Sequence, residues 1–299
     1  LHESGFSEVP VLSLSLQGIE ENPGFRLTPR LLKKAIMSVI YGDLLMRLLY
    51  RVRPYEKVPG SANLLLNKWL NICKKDVTCP KNESFNENVC RMVEEFDRFE
   101  ITDVKKPRVG VVGEILVKYH PAANNHVVSL LESEGAEAVV PDMLDFFLYS
   151  VHDGIFRRRY LAGSLGYMMI SKAAISYLEY FRRSMKKALD LSQRFEAPKT
   201  IYDLAEKVKG ILSWGHHTGE GWFLTAEMIE LIEMGVPNIV CVQPFGCLPN
   251  HVTGKGMLKA LKKNYPEANI VAIDYDPGAS EVNQLNRIKL MLSVAFKNL

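Results

Sequence analysis

Asn238-Ile-Val-Cys-Val-Gln243, running on into Pro-Phe-Gly-Cys247-Leu-Pro-Asn-His251, is the stretch whose reading decides the fold. The first part is a hydrophobic run closed by a proline, which reads as a strand; Gly254 to Tyr265 reads as the helix that follows. In an open parallel sheet, ligands sit beyond the carboxyl ends of the strands. Cys247, in a loop constrained by Pro244 and Gly246, stands at such an end and is the first candidate ligand. Cys241, inside the strand, reads as a small buried hydrophobe.

Working outward, three more runs read as strands: Arg108-Val-Gly-Val-Val-Gly113, Glu137-Ala-Val-Val-Pro141 and Asn269-Ile-Val-Ala-Ile-Asp-Tyr275. Helical patterns separate them, over Ala122 to Gly135, Ser164 to Leu191, Ile201 to Leu212 and Thr225 to Met234, with a last helix from Ser280 to Phe296. Strands alternating with helices predict an α/β fold with a parallel, doubly wound, flavodoxin- or Rossmann-like sheet covered on both faces. In a flavodoxin-like strand order the loops after the first and third strands meet, so the loop after Gly113 is expected to face the Cys247 loop.

Upstream, Leu31, Leu32, Ala35, Ile36, Val39, Ile40, Leu44 and Leu48 recur at helical spacing after Pro29. A second helix is expected after Ser61 as cap, and a third from Phe85 to Glu100. Glu8 to Leu16 reads as a buried strand, and the chain opens at Leu1 without methionine; together these suggest a piece of a longer polypeptide. The expected division is a remnant of a preceding α/β domain plus a helical region over residues 1–104, then an α/β domain over 105–299 with a helical insertion at about 142–212.

The 37 basic and 34 acidic residues leave a net charge of +3, too small for a nucleic-acid surface. Arg157-Arg158-Arg159 and Arg182-Arg183 read as solvated helix faces. Five cysteines and no signal-peptide pattern fit a reducing cytoplasmic setting, and no apolar run reaches the length that spans a bilayer.

Polar groups collect at the expected strand ends. Glu114, just beyond the first strand, is placed to ligate or titrate, or with Asn124 and Asn125 to cap the next helix; His120 precedes Pro121. Ser213-Trp-Gly-His-His-Thr-Gly-Glu-Gly-Trp222 carries adjacent histidines, of which one at most faces a given site, and His216 is a candidate catalytic group. His251 follows Cys247, and Asp274 and Asp276 follow the last strand. The chain has no Walker loop, GxGxxG, HExxH or paired CxxC, and Cys73, Cys79 and Cys90 match no common zinc or ferredoxin spacing.

These residues resemble the carboxyl-terminal region of the large activator-like proteins related to 2-hydroxyacyl-CoA dehydratases, the CoA-substrate-specific enzyme activases. The likeness runs through Val9-Pro-Val-Leu-Ser-Leu-Ser15, Tyr41 to Tyr55, Val112-Gly-Glu-Ile115, Lys118-Tyr-His-Pro121 and Pro141 to Phe147. It continues through Gly219-Glu-Gly-Trp222, Gln243 to Gly256 and Ile273 to Ser280. The resemblance implies an iron–sulfur redox component of an ATP-coupled acyl-CoA dehydratase- or reductase-like system, with electron transfer from an ATPase activator. Cys247 is the position resembling a [4Fe-4S] ligand, His251 joins it as a cofactor-binding candidate, and Glu114, His120 and His216 are the catalytic candidates. Since one thiolate does not hold a four-iron cluster, the cluster is expected in the full-length protein and not in this piece. The competing reading is a docking or acyl-CoA-binding module that keeps the fold without the chemistry.

Overall fold

Four strands form one sheet in the order β2-β1-β3-β4: β1 (Arg108–Gly113), β2 (Glu137–Val139), β3 (Asn238–Pro244) and β4 (Asn269–Tyr275). Every pairing is parallel, with Val112 opposite Cys241 and Val242 opposite Ile273. The structure is a computed structural model and describes residues 4–5, 28–79, 84–276 and 278–299. The strand expected over Glu8 to Leu16, and with it the remnant of a preceding domain, lies outside the described residues.

The α/β fold is the expected one. Alternate residues of the central strands enter two different cores, as they must when both faces of a sheet are covered. Val112, Ile239, Cys241 and Ala272 face one cluster; Val109, Val111, Val240, Val242 and Ile273 face the other. In chain order the sheet extends from β1 to β2 on one side and then, on the other side, to β3 and β4. Its switch point therefore falls between β1 and β3.

Among the described residues, three α-helices precede the sheet: α1 (Pro29–Val52), α2 (Ser61–Thr78) and α3 (Ser84–Asp97). Thr28 caps α1 by accepting from Leu31 N, with Pro29 in the first turn where its missing N–H costs nothing. Ser61, expected as the cap of α2, is instead its first residue; Gly60, at φ +88°, takes the cap position. Among the described residues between Thr28 and Glu100 the backbone is helical and turn-like, apart from one bridge between Glu56 and Ile101.

Between β1 and β2 lie α4 (Ile115–Tyr119) and α5 (Val127–Ser133), where a single helix from Ala122 was expected. Pro121 and the left-handed Asn125 and His126 divide them. Between β2 and β3 come α6 (Met143–Val151), α7 (Asp153–Tyr160), α8 (Leu165–Asp190), α9 (Ile201–Lys207) and α10 (Gly221–Glu233). Helix α10 starts at Gly221, earlier than the expected Thr225.

Between β3 and β4, α11 (Leu248–Thr253) begins directly after Cys247, and α12 (Leu258–Asn264) follows a break at Gly254. The helix expected from Gly254 to Tyr265 is thus α12, which starts four residues later at Leu258 after a 3-10 turn over Lys255–Met257, and α11 ahead of it was not expected. A side chain at Gly254 would meet Asn250 O at 2.6 Å and Leu224 at 2.9 Å, so the break is where α11 presses on α10. The chain closes with α13 (Glu281–Lys297), whose Ile288, Met291 and Leu292 cover the second face beside α5.

Helices α1–α3 share one continuous core with α6, α8, α9 and α10. Buried charges knit this region. Asp43 of α1 accepts from Met143 N and Leu144 N at 2.8 and 2.9 Å, satisfying the first turn of α6. Arg182, expected on a solvated face, is fully buried and bonds Asp145 at 2.6 Å, Glu179 at 2.8 Å and Lys199 O at 3.1 Å. The triplet Arg157–Arg159 is exposed, as expected.

Candidate functional site

At the switch point the first physical requirement is close approach of β1 to β3. Gly113 meets it: at φ +137° it lies where a Cβ would be 1.8 Å from Val242 O, so only glycine fits. The next residue, Glu114, donates its N–H to Val242 O at 3.0 Å, which carries the pairing one step past the strand.

Glu220 closes the crevice beyond. It is 6% exposed at the start of α10, and its carboxylate spans two segments. Oε1 accepts from Ile115 N at 3.1 Å, and Oε2 accepts from Asn250 Nδ2 at 2.9 Å. The same Nδ2 lies 3.0 Å from Cys247 Sγ. The loop after β1 and the Cys247 turn are thereby joined, as the flavodoxin-like order predicts, through a residue the sequence reading did not single out. Gly219, at φ +60°, lets this turn lie on α11: a Cβ there would be 2.8 Å from Pro249.

Cys247 is half-buried and is the N-cap residue of α11, while Cys241 is fully buried. Burial pushes the Cys241 thiol up to about 12, with Glu227 and Glu220 adding to the effect, so Cys241 is inert as a ligand or nucleophile.

A second polar set flanks Cys247 on the β4 side. Gln243, fully buried, donates Nε2 to Asp274 Oδ1 at 2.6 Å. His251 Nδ1 lies 3.0 Å from Cys247 O, and Lys255 Nζ is 3.4 Å from Asp274 Oδ2. Burial works to raise the Asp274 carboxyl, but the Gln243 hydrogen bond and the Lys255 charge outweigh it and hold it below the ordinary carboxylate value. The Asp274 and Glu220 carboxylates thus accept from the carboxamide nitrogens of Gln243 and Asn250. Gln243 Oε1 and Asn250 Oδ1 are left buried with no donor among the described residues.

Beneath the crevice, Lys118 of α4 and Glu227 of α10 form a buried ion pair at 2.8 Å, their side chains 2% and 3% exposed. Burial raises the Glu227 carboxyl to about 7 even with the Lys118 ammonium against it.

The remaining candidates fall elsewhere or take structural parts. Glu114 caps α4 by accepting from Val117 N at 2.8 Å, and Asn124 Oδ1 accepts from Val127 N at 3.1 Å, which is the capping alternative. His120 ends α4 and is exposed. His216 is exposed, and its carbonyl accepts from Trp222 N at 2.7 Å. Its neighbour His217 turns inward and stacks between Tyr149 and Phe156, with centroids at 4.8 and 4.6 Å. Cys73, Cys79 and Cys90 belong to α2, its end and α3, not to the switch point. The structure thus gathers Cys247, His251 and Asp274 with Glu220, Asn250 and Gln243. The one sequence signal for Glu220 was its pair of flanking glycines, which announces a turn without saying what the turn touches.

No family model matches the chain, and neither does any curated protein or solved structure. The family reading therefore rests on the residues quoted above.

Proposed function

We propose that this chain is the thiol-bearing α/β part of an iron–sulfur-dependent redox component in an ATP-coupled acyl-CoA dehydratase- or reductase-like system, Cys247 supplying one cluster ligand. The observation that carries the reading is the buried Glu220–Asn250 relay, which sets an amide donor 3.0 Å from Cys247 Sγ at the carboxyl edge of the sheet. Hydrogen bonds to ligating sulfur tune the potential of such centres.

The residues described do not by themselves fit a cluster. Among them, no group of three or more His, Cys, Asp or Glu is placed to hold a metal ion, and Cys247 is the single thiol at the switch point that is not fully buried, Cys241 lying inside β3. The other ligands would come from another part of the polypeptide or from a partner, and the ATPase activator is the partner the reading calls for. The test is iron and sulfide content of the full-length protein prepared without oxygen, for wild type and Cys247→Ser. The reading expects a loss of iron in the variant with the fold unchanged by circular dichroism; unchanged iron and an unchanged visible spectrum overturn it.

The docking or acyl-CoA-binding alternative has its own support. Gln243 Oε1 and Asn250 Oδ1 are unmet acceptors buried behind the Cys247 turn, which a guest with N–H or O–H donors, such as the amides of a pantetheine arm, reaches only if that turn moves aside, and Phe245 and Leu248 of the same turn are exposed apolar residues. Calorimetric titration of wild type and Gln243→Leu with coenzyme A tests it, and equal heats in the two proteins count against it.

A further inference from the structure

We propose that the cavity between α1, the edge strand β2 and the loop following α8 is a binding site for a phosphate group. It lies apart from the switch point and is lined by Arg47, Arg51, Arg108 and Arg194, facing Glu137 and Glu196.

The bland account is that these arginines serve only the acids already present. Hydrogen-bond geometry limits that account. Arg47 is occupied: Nε and Nη2 bond Asp142, and Nη1 bonds Glu196 O. Glu137, 1% exposed, is satisfied by Arg51 Nη1 at 2.5 Å, Arg108 Nε at 3.0 Å and Tyr55 OH at 2.8 Å. Arg194 spends Nη1 on Phe96 O and Phe99 O, each at 3.0 Å, and forms no ion pair among the described residues. Arg51 Nη2, Arg108 Nη1 and Nη2, and Arg194 Nε and Nη2 thus have no acceptor among the described residues.

Charge points the same way. The lining carries four guanidinium groups against two carboxylates, and Asp142 beside Arg47 adds a third, so an excess of positive charge remains. Burial lowers the Arg194 pKa, and Arg51 adds to the effect, although Asp97 nearby partly offsets it. The cavity is about 40 Å³, room for two or three waters and so for one compact tetrahedral oxyanion. Planar forks with unmade donors suit phosphate oxygens, which accept bidentate bonds from arginine.

The phosphate is either a free ion or the end of a larger molecule. Titration of the full chain with inorganic phosphate and with glycerol phosphate, followed by ³¹P NMR and calorimetry, distinguishes them. Tighter binding of glycerol phosphate identifies a phosphomonoester site; tighter binding of inorganic phosphate identifies a free-ion site. Arg108→Gln and Arg194→Gln are each expected to weaken binding at least about 10-fold, with a circular dichroism spectrum like that of wild type as the folding control. Should Arg194→Gln fail to fold, Arg108→Gln, whose side chain is 28% exposed, decides alone. The proposal is overturned if wild type takes up neither phosphate at millimolar concentration, if chloride competes equally, or if folded Arg108→Gln binds as wild type does.

Discussion

Glu220 accepts from Asn250 Nδ2 at 2.9 Å, and this bond holds the donor that meets Cys247 Sγ. The carboxylate lies 30 residues upstream of its partner, and its other oxygen is taken by a backbone N–H 105 residues further back. One buried side chain thereby ties three segments at the sheet's switch point.

Glu220→Ala removes the acceptor of both donors, and each buried group left unpaired costs about 1–3 kcal/mol. Urea denaturation is expected to show a loss of about 2–5 kcal/mol. Glu220→Gln keeps the shape but sets an amide against at least one donor, so a smaller loss is expected. In both variants Cys247 should alkylate faster with iodoacetamide, read by peptide mass mapping, while Cys241 stays unlabelled. An unchanged Cys247 rate in folded Glu220→Gln would show that Glu220 does not position the turn.

Gly113→Ala places a methyl group 1.8 Å from Val242 O at φ +137°. Both the clash and the backbone conformation oppose it, so the variant is expected to yield no folded protein, or protein destabilised by more than about 4 kcal/mol. Gly135→Ala is the control, since its φ is also positive, at +88°, but a Cβ would meet only Phe296 at 3.5 Å. It should cost about 1–2 kcal/mol.

Lys118→Met leaves the Glu227 carboxylate buried without its counter-charge, and breaking such a pair costs about 3–5 kcal/mol. Lys118→Met with Glu227→Leu should recover most of that loss at pH 7. Chemical denaturation of the two variants measures the difference; equal losses would mean that burial of Glu227 is not the source.

Stability against pH should carry two opposed contributions. The Glu227 carboxyl rises from 4.5 to about 7 on folding, so across that window the folded chain holds a proton the unfolded chain has lost, and stability falls as pH rises. Burial, with His217 next, lowers His152 from 6.5 to about 4. Across that window the unfolded chain holds the extra proton, and stability falls as pH falls. Glu227→Gln should therefore expose a steeper acid loss, and His152→Phe a steeper loss toward neutral pH, both read from urea midpoints between pH 4 and 7. His152 is 1% exposed beside Trp214 and Trp222, and neither ring nitrogen has a partner among the described residues. A phenyl ring there should cost little at pH 7, and a large loss at that pH would point to buried water bonded to the imidazole.

The sheet was legible because its physics is local. Val109, Val111 and Val112, Ile239 to Val242, and Ile270 to Ile273 are runs that a strand buries on both faces, and helix-period segments between them leave parallel pairing as the way to connect the strands. Prolines and glycines marked where elements end, yet not where the next begins. Cys247 reads as a loop residue until α10 is placed against α11, and Arg182 reads as a surface cation until α6 brings Asp145 to it.

What the sequence determined by itself was the four strands from Arg108 onward, their parallel sense and the position of Cys247 at a strand's carboxyl end, since apolar period and turn chemistry are written in neighbouring residues. Which carboxylate reaches which turn was decided by tertiary structure alone. Glu220, Lys118 and Glu227 find their partners across 30 to 109 residues of chain, and a charged side chain carries no local mark of the distant group that will compensate its burial.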